Sequence, residues 1–163
     1  MFERFLLAID DTPASEVATS FAAAVAQRSS ATVHVLYVNE FLVGRRGLTV
    51  LTNEDVHRLV SNAVGELRAS GVDAGGSSST SSYRRVPNTI VEVAHARHVD
   101  AILLGSNRRR QWGRFFSPQV RERTTRLTTL PVVTAPSPLQ VATLELQDMV
   151  KAQLETALSV LPG

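Results

Sequence analysis

Residues 101–135 read AILLGSNRRRQWGRFFSPQVRERTTRLTTLPVVTA and hold both the best fold signal and the densest cluster of charge in the chain. The stretch opens on a four-residue apolar run, Ala101 to Leu104, stopped at once by Gly105, and closes on a second short run between Pro131 and Pro136. Runs of that length bounded by Gly and Pro read as buried strands. The residues between them suffice for a loop and a helix of about ten residues, the spacing of a right-handed strand, helix, strand crossover in a parallel sheet. Ligands of such sheets sit beyond the carboxyl ends of the strands, so the loop opened by Gly105 is the first place to look for function.

Working outward, the same unit recurs at the amino terminus. Phe5 to Ile9 is an apolar run of strand length ending in Asp10 and Asp11, and Thr12-Pro13 then starts a helix, with a hydroxyl as cap and Pro in the first turn. The helix is expected to run to about Arg28, with Val17, Phe21, Ala24 and Val25 on its buried face. ATVHVLYV, residues 31–38, supplies a second strand rich in β-branched and aromatic residues. A loop over 41–52 contains Gly44 and Gly47. Asn53 is expected to cap the next helix, whose inner face carries Val56, Leu59, Val60, Ala63, Val64 and Leu67 and which Gly71 ends. GGSSSTSS, residues 75–82, has the composition of a flexible turn, so only a short edge strand is expected, around Thr80 to Val86. Pro87 starts a further helix through His98, with Ile90, Val93, Ala94 and Arg97 along one side.

The length of 163 residues with 44% apolar content fits one core, and no run of 18 or more apolar residues offers a membrane span. The amino terminus has too short an apolar stretch for a secretory signal. With no cysteine, the chain is compatible with a reducing cytoplasm, the expected location. All but one of the 17 basic residues are arginine, yet the net charge is only +2, so placement matters more than the total. After Pro138, residues 139–161 carry Leu139, Ala142, Leu146, Met149, Val150, Leu154, Leu158 and Leu161 at helical period. Division into 1–138 and an amphipathic helix within 139–163 follows, the apolar stripe covering a face of its own domain or of a partner.

The residues Gly105-Ser-Asn-Arg108, a spacer of nine and then Pro118-Gln119 resemble the nucleotide loop of the universal stress protein family, G-x2-G-x9-G-[S/T]. AIDDTPASEVA followed by VHVLYV is similar to the opening of the same family, so the resemblance runs from about residue 3 to 136. It implies a doubly wound five-stranded parallel sheet of order 3-2-1-4-5, adenine nucleotide alpha hydrolase-like, with the carboxyl-terminal helix as an addition. It also implies that Ile9, Asp10 and Val38 lie against adenine and ribose and that Gly105, Arg108, Ser117 and Gln119 stand at the phosphate end. ATP, ADP or another adenine nucleotide is the implied ligand. Family dimers pair through the last edge strand, here Pro131 to Ala135, and the helix within 139–161 reinforces or obstructs that contact.

Three of the four defining loop residues depart from the pattern: Arg108 and Pro118 stand for glycines and Gln119 for the hydroxyl residue. Proline has no N–H to offer a phosphate at a helix amino terminus, so Ser117-Pro118 reads as a helix start, with Ser as cap. The expectation is a regulatory or binding module, dimeric, with weakened or lost ATP binding. A second reading rebuilds the phosphate site from Arg108, Arg109, Arg110, Arg114, Arg121, Arg123 and Arg126, since guanidinium forks suit phosphate, and makes the chain an ATP-binding or ATP-hydrolysing protein. A third makes it an interaction domain whose last helix docks on a protein partner. Asp10 equally suits a plain role, capping the helix that follows it.

No recognition helix or aromatic platform accompanies the basic cluster beside Trp112, Phe115 and Phe116, so nucleic acid is not the expected partner. His95 and His98 lie three apart, but no further ligand is near in sequence and no metal site is expected. Neither a G-x-S-x-G elbow nor a Walker A loop occurs, and no nucleophile and base pair can be named.

Overall fold

The structure, a computed structural model, describes residues 2–41, 49–105, 118–137, 140, 147–149 and 151. Five strands, β1 (Arg4–Ile9), β2 (Thr32–Glu40), β3 (Ala74–Ser81), β4 (Ala101–Leu104) and β5 (Val132–Thr134), form one sheet of order β3-β2-β1-β4-β5. Every pairing is parallel. Four helices lie between them: α1 (Pro13–Ser29), α2 (Asn53–Ala69), α3 (Val86–Ala96) and α4 (Pro118–Leu127). The expected doubly wound sheet is therefore present.

Side chains alternate across each strand, so the sheet feeds two cores. Phe5, Leu7, Ile9, Val33, Val35, Tyr37 and Leu103 pack beneath α1 and α2. Leu6, Ala8, Leu36, Val38, Ile102 and Leu104 pack beneath α3 and α4. With both faces covered, the central strands read as unbroken apolar runs. Leu67 of α2 is fully buried, and truncating such a residue to alanine typically costs about 2–5 kcal/mol.

α1 turns a different face inward from the one its larger apolar residues suggest. Ala14, Ala18, Ala22, Ala23 and Ala26 are buried with Ser15 and Thr19, whereas Val17, Phe21 and Val25 are only partly buried and Ala24 is exposed. A stripe of methyl groups lets the helix lie close on the sheet, and the bulky residues then fill its flank. α2 follows the expected face, but its cap is Thr52, whose Oγ1 accepts the Asp55 N–H at 3.1 Å, rather than Asn53. α3 ends at Ala96; His98 has a left-handed φ of 51°, and Arg97 is exposed rather than on the buried side.

The largest correction concerns β3. The Gly/Ser run is a regular eight-residue strand paired with β2 from Val33↔Ala74 to Glu40↔Ser81, not a turn before a ragged strand. Composition weighs little here because an edge strand makes one ladder and buries little side chain, and Gly76 leaves room for the helix above it. Asp100 fastens the opposite end of the sheet: its Oδ2 accepts the Glu3 N–H at 2.7 Å and the Arg4 N–H at 2.9 Å, setting β4 against β1.

At the carboxyl end of the described chain, the Ser137 N–H donates to Gln140 Oε1 at 2.8 Å and the Gln140 N–H to Ser137 Oγ at 3.3 Å. This reciprocal pair is a capping box, legible as S-x-x-Q in the sequence. Residues 147–149 and 151 are helical and Met149 is 60% exposed; the rest of the expected helix within 139–161 lies outside the described residues.

Candidate functional site

Parallel strands deliver their carboxyl ends to one edge of the sheet, and the order reverses between β1 and β4. Ligands of doubly wound folds enter there. The register pairs Ile9 with Tyr37 and Ala8 with Leu104, so Ile9, Asp10, Val38 and Gly105 come together at that edge. Ile9 and Val38 are 4% and 2% exposed and point into opposite cores, which leaves their backbone rather than their side chains to face the crevice.

Asp10 is the polar centre of the site. Its side chain is buried where β1 gives way to α1, and Oδ1 accepts the Thr12 N–H at 2.9 Å and the Thr12 hydroxyl. Ser15 Oγ accepts the Asp10 N–H at 2.7 Å and lies within reach of the Asp10 carbonyl at 2.8 Å and of Oδ1 at 3.0 Å. The hydroxyl expected to cap α1 is thus spent on Asp10, and the Asp10 carboxylate closes the turn in its stead. Oδ2 is buried and has no hydrogen-bond partner among the described residues. Burial pushes the carboxyl above the ordinary aspartate range, against hydrogen bonds from Thr12 and Ser15 that pull it down, while Asp11 adds to the rise.

Residues that sequence reasoning passed over complete the edge. Burial, then the charges of Asp11, Asp10 and Glu40, raise the Tyr37 phenol well above its usual range. Glu40 is 3% exposed, so three carboxyl groups concentrate around one end of β1 and β2. Asn39 Nδ2 donates to the Leu51 carbonyl at 2.8 Å and Oδ1 accepts the Leu51 N–H at 3.2 Å, pinning the chain that enters α2. The signal was the polar pair Asn39-Glu40 closing an otherwise apolar strand at its carboxyl end, the end that a doubly wound sheet turns toward its crevice.

Where the family resemblance places the phosphate end, the described part of α4 runs from Pro118, and Gln119 is exposed. Arg121, Arg123 and Arg126 are exposed on the same helix, and Arg126 donates to Glu122 Oε1 at 2.6 Å one turn back. Arg108, Arg109, Arg110, Arg114 and Ser117, and with them the expected cap of α4, lie outside the described residues. A cleft of about 510 Å³ borders Ile9 and Asp10, but it opens between α1 and α2 rather than between β1 and β4. Among the described residues no group of His, Cys, Asp and Glu could hold a metal ion, and no helix is long and apolar enough to cross a membrane.

A five-stranded parallel sheet of this order, with its polar residues gathered at the carboxyl ends of β1 and β2, defines the class: a doubly wound α/β fold. Within that class, the chain matches the sequence model of the universal stress protein family over residues 1–136 and belongs to that family. It is similar to a universal stress protein family structure from Burkholderia pseudomallei, at 18% identity and a TM-score of 0.66, covering 83% of this chain and 97% of that one. A universal stress protein from Archaeoglobus fulgidus in complex with dAMP is 21% identical, with a TM-score of 0.61 over 83% of this chain and 98% of that one. A universal stress protein in complex with cAMP is 17% identical, with a TM-score of 0.62 over 83% and 98%. Comparison with curated protein sequences finds no match.

Proposed function

We propose that this chain is a regulatory binding module that takes an adenine nucleotide by its nucleoside end and grips the terminal phosphates weakly, rather than an ATP-hydrolysing enzyme. The observation that carries the reading is Pro118 in the first described turn of α4, followed by an exposed Gln119. A helix amino terminus holds phosphate through free N–H groups and its positive end, and proline removes one of those donors. The carboxyl groups of Asp10, Asp11 and Glu40 around Tyr37 further disfavour a triphosphate nearby. Ile9, Asp10, Val38 and Gly105 are assigned to the nucleoside end, and Arg108, Ser117 and Gln119 to the phosphate end. The relatives solved with dAMP and cAMP support an adenine ligand carrying a single phosphate.

Calorimetric titration with AMP, cyclic AMP, ADP and ATP tests this, on the parent and on the double variant Pro118→Gly, Gln119→Ser. The expected result is no preference for ATP over AMP in the parent and a gain of about tenfold or more for ATP alone in the variant, the scale of one or two charge-assisted hydrogen bonds. A parent that favours ATP over AMP, with a variant no better, would overturn the reading.

The module is proposed to dimerise through the β5 edge, residues 131–135. Val133 of β5 and Leu127 at the end of α4 are 37% and 44% exposed. Sedimentation of a Val133→Arg variant as a monomer beside a dimeric parent is the expected outcome.

A further inference from the structure

The opposite edge of the sheet is open in an unusual way. The Asp73 carbonyl accepts the Val33 N–H and the Ser81 carbonyl accepts the Phe41 N–H, so both face β2. Backbone groups alternate along a strand, which turns those of Ala74, Gly76, Ser78 and Thr80 outward. Arg68 Nε donates to the Ala74 carbonyl at 2.9 Å. The outward N–H and C=O groups of Gly76, Ser78 and Thr80 make no hydrogen bond among the described residues. Natural edges are usually protected by charge, proline, a bulge or brevity. β3 has eight residues, all Ala, Gly, Ser or Thr.

Beside this edge runs a groove of about 480 Å³ between β3 and α2. His57, Ser61 and Arg68 line the helical wall, Gly75 to Ser78 line the strand wall, and Val60 and Val64 supply an apolar patch. Gly65 adds no side chain, and a Cβ built on it would meet nothing within 4 Å. The lining includes no acidic residue. Beyond its Nε bond, the Arg68 guanidinium has no partner among the described residues.

We propose that this groove receives an extended, acidic peptide segment of another protein, which joins the sheet as a sixth strand beside β3. Its backbone pairs with Gly76, Ser78 and Thr80. Alternate side chains enter the groove, a carboxylate meeting Arg68 where it reaches the start of β3 and a small apolar residue two positions away lying on Val64 and Val60. A second copy of the chain fits less well, because β3 carries no acid to answer Arg68. This surface is remote from the nucleotide crevice and from the β5 edge.

The test selects phage-displayed random decapeptides on the purified full chain and titrates the winning sequence, as a fluorescein-labelled synthetic peptide, by anisotropy. Enrichment of Asp or Glu at one position among alternating β-branched residues is expected. Gly65→Leu, which fills the groove from an open position, and Ser78→Pro, which removes an outward N–H while sparing the ladder to β2, should each weaken binding about tenfold or more. Their circular dichroism and melting should match the parent. Arg68→Gln should remove the preference for the peptide over its uncharged Gln or Asn counterpart. No enrichment, or equal affinity for the parent and both groove variants, would sink the proposal, as would a concentration-dependent dimer of the parent that Ser78→Pro abolishes.

Discussion

Val60 of α2 occupies the space where a Cβ on Gly76 of β3 would stand: a methyl built there collides with Val60 Cγ1 and comes within 3.0 Å of Val64 Cγ2. β-branched side chains are stiff at χ1, so Val60 cannot swing aside cheaply. Gly76→Ala should destabilise the fold by about 1–3 kcal/mol, the usual cost of overpacking. Val60→Ala in the same chain should recover much of that loss. A double-mutant cycle in urea checks the coupling, and additive effects would show that the helix simply moves away.

Asp100 ties the amino ends of β1 and β4. Hydrogen bonds from the Glu3 and then the Arg4 backbone hold its carboxyl below the ordinary aspartate value of 3.8. A depressed folded pKa adds stability above 3.8 that is lost as pH falls through the folded value. Asp100→Asn should therefore be the less stable protein at neutral pH, and the gap should narrow on acidification. Denaturation midpoints from pH 7 to pH 2 measure this; a gap constant with pH would show that the carboxylate charge is irrelevant to the clamp.

For Asp10 the sign reverses. Burial, as the largest influence, raises its folded pKa above 3.8, so the neutral acid is favoured in the fold. That advantage is complete below 3.8 and disappears as pH rises through the raised folded value. Asp10→Asn keeps an oxygen to accept the Thr12 N–H but cannot ionise. Relative to the parent, the variant should gain stability as pH climbs through that window, and parallel pH curves for the two proteins would contradict it.

Thr52 begins α2 with two bonds to one residue: Oγ1 accepts the Asp55 N–H, and its proton goes to Asp55 Oδ2 at 2.7 Å. Loss of a cap of this kind costs about 1 kcal/mol. Thr52→Ala should lower the melting temperature by a few degrees, while Asn53→Ala, one residue further on, should leave it almost unchanged.

These cases divide along a physical line. The cores of β1, β2 and β4, the inner face of α2 and the crossover between β4 and β5 were legible because apolar period and strand length are local properties. Asp10 could be placed at the end of β1, but its several bonds to Thr12 and Ser15 depend on how the chain turns into α1, and so does the pull of burial on its carboxyl. The capping choices failed by one residue at α2 because neighbouring Thr52 and Asn53 both suit the role, and only the backbone path decides which hydroxyl or amide meets an N–H. The buried face of α1 was misread because size was taken for burial, whereas close approach to the sheet selects alanine.

The sequence by itself determined the doubly wound sheet, the family it belongs to and the loss of an N–H at residue 118, since each follows from the order and spacing of residue types. The tertiary structure alone decided that GGSSSTS is a strand and that a groove with an unanswered arginine runs beside it. Glycine on its own disfavours a strand, so the conformation of this run is set against its composition by what the β2 ladder offers and by the room that Val60 and Val64 leave.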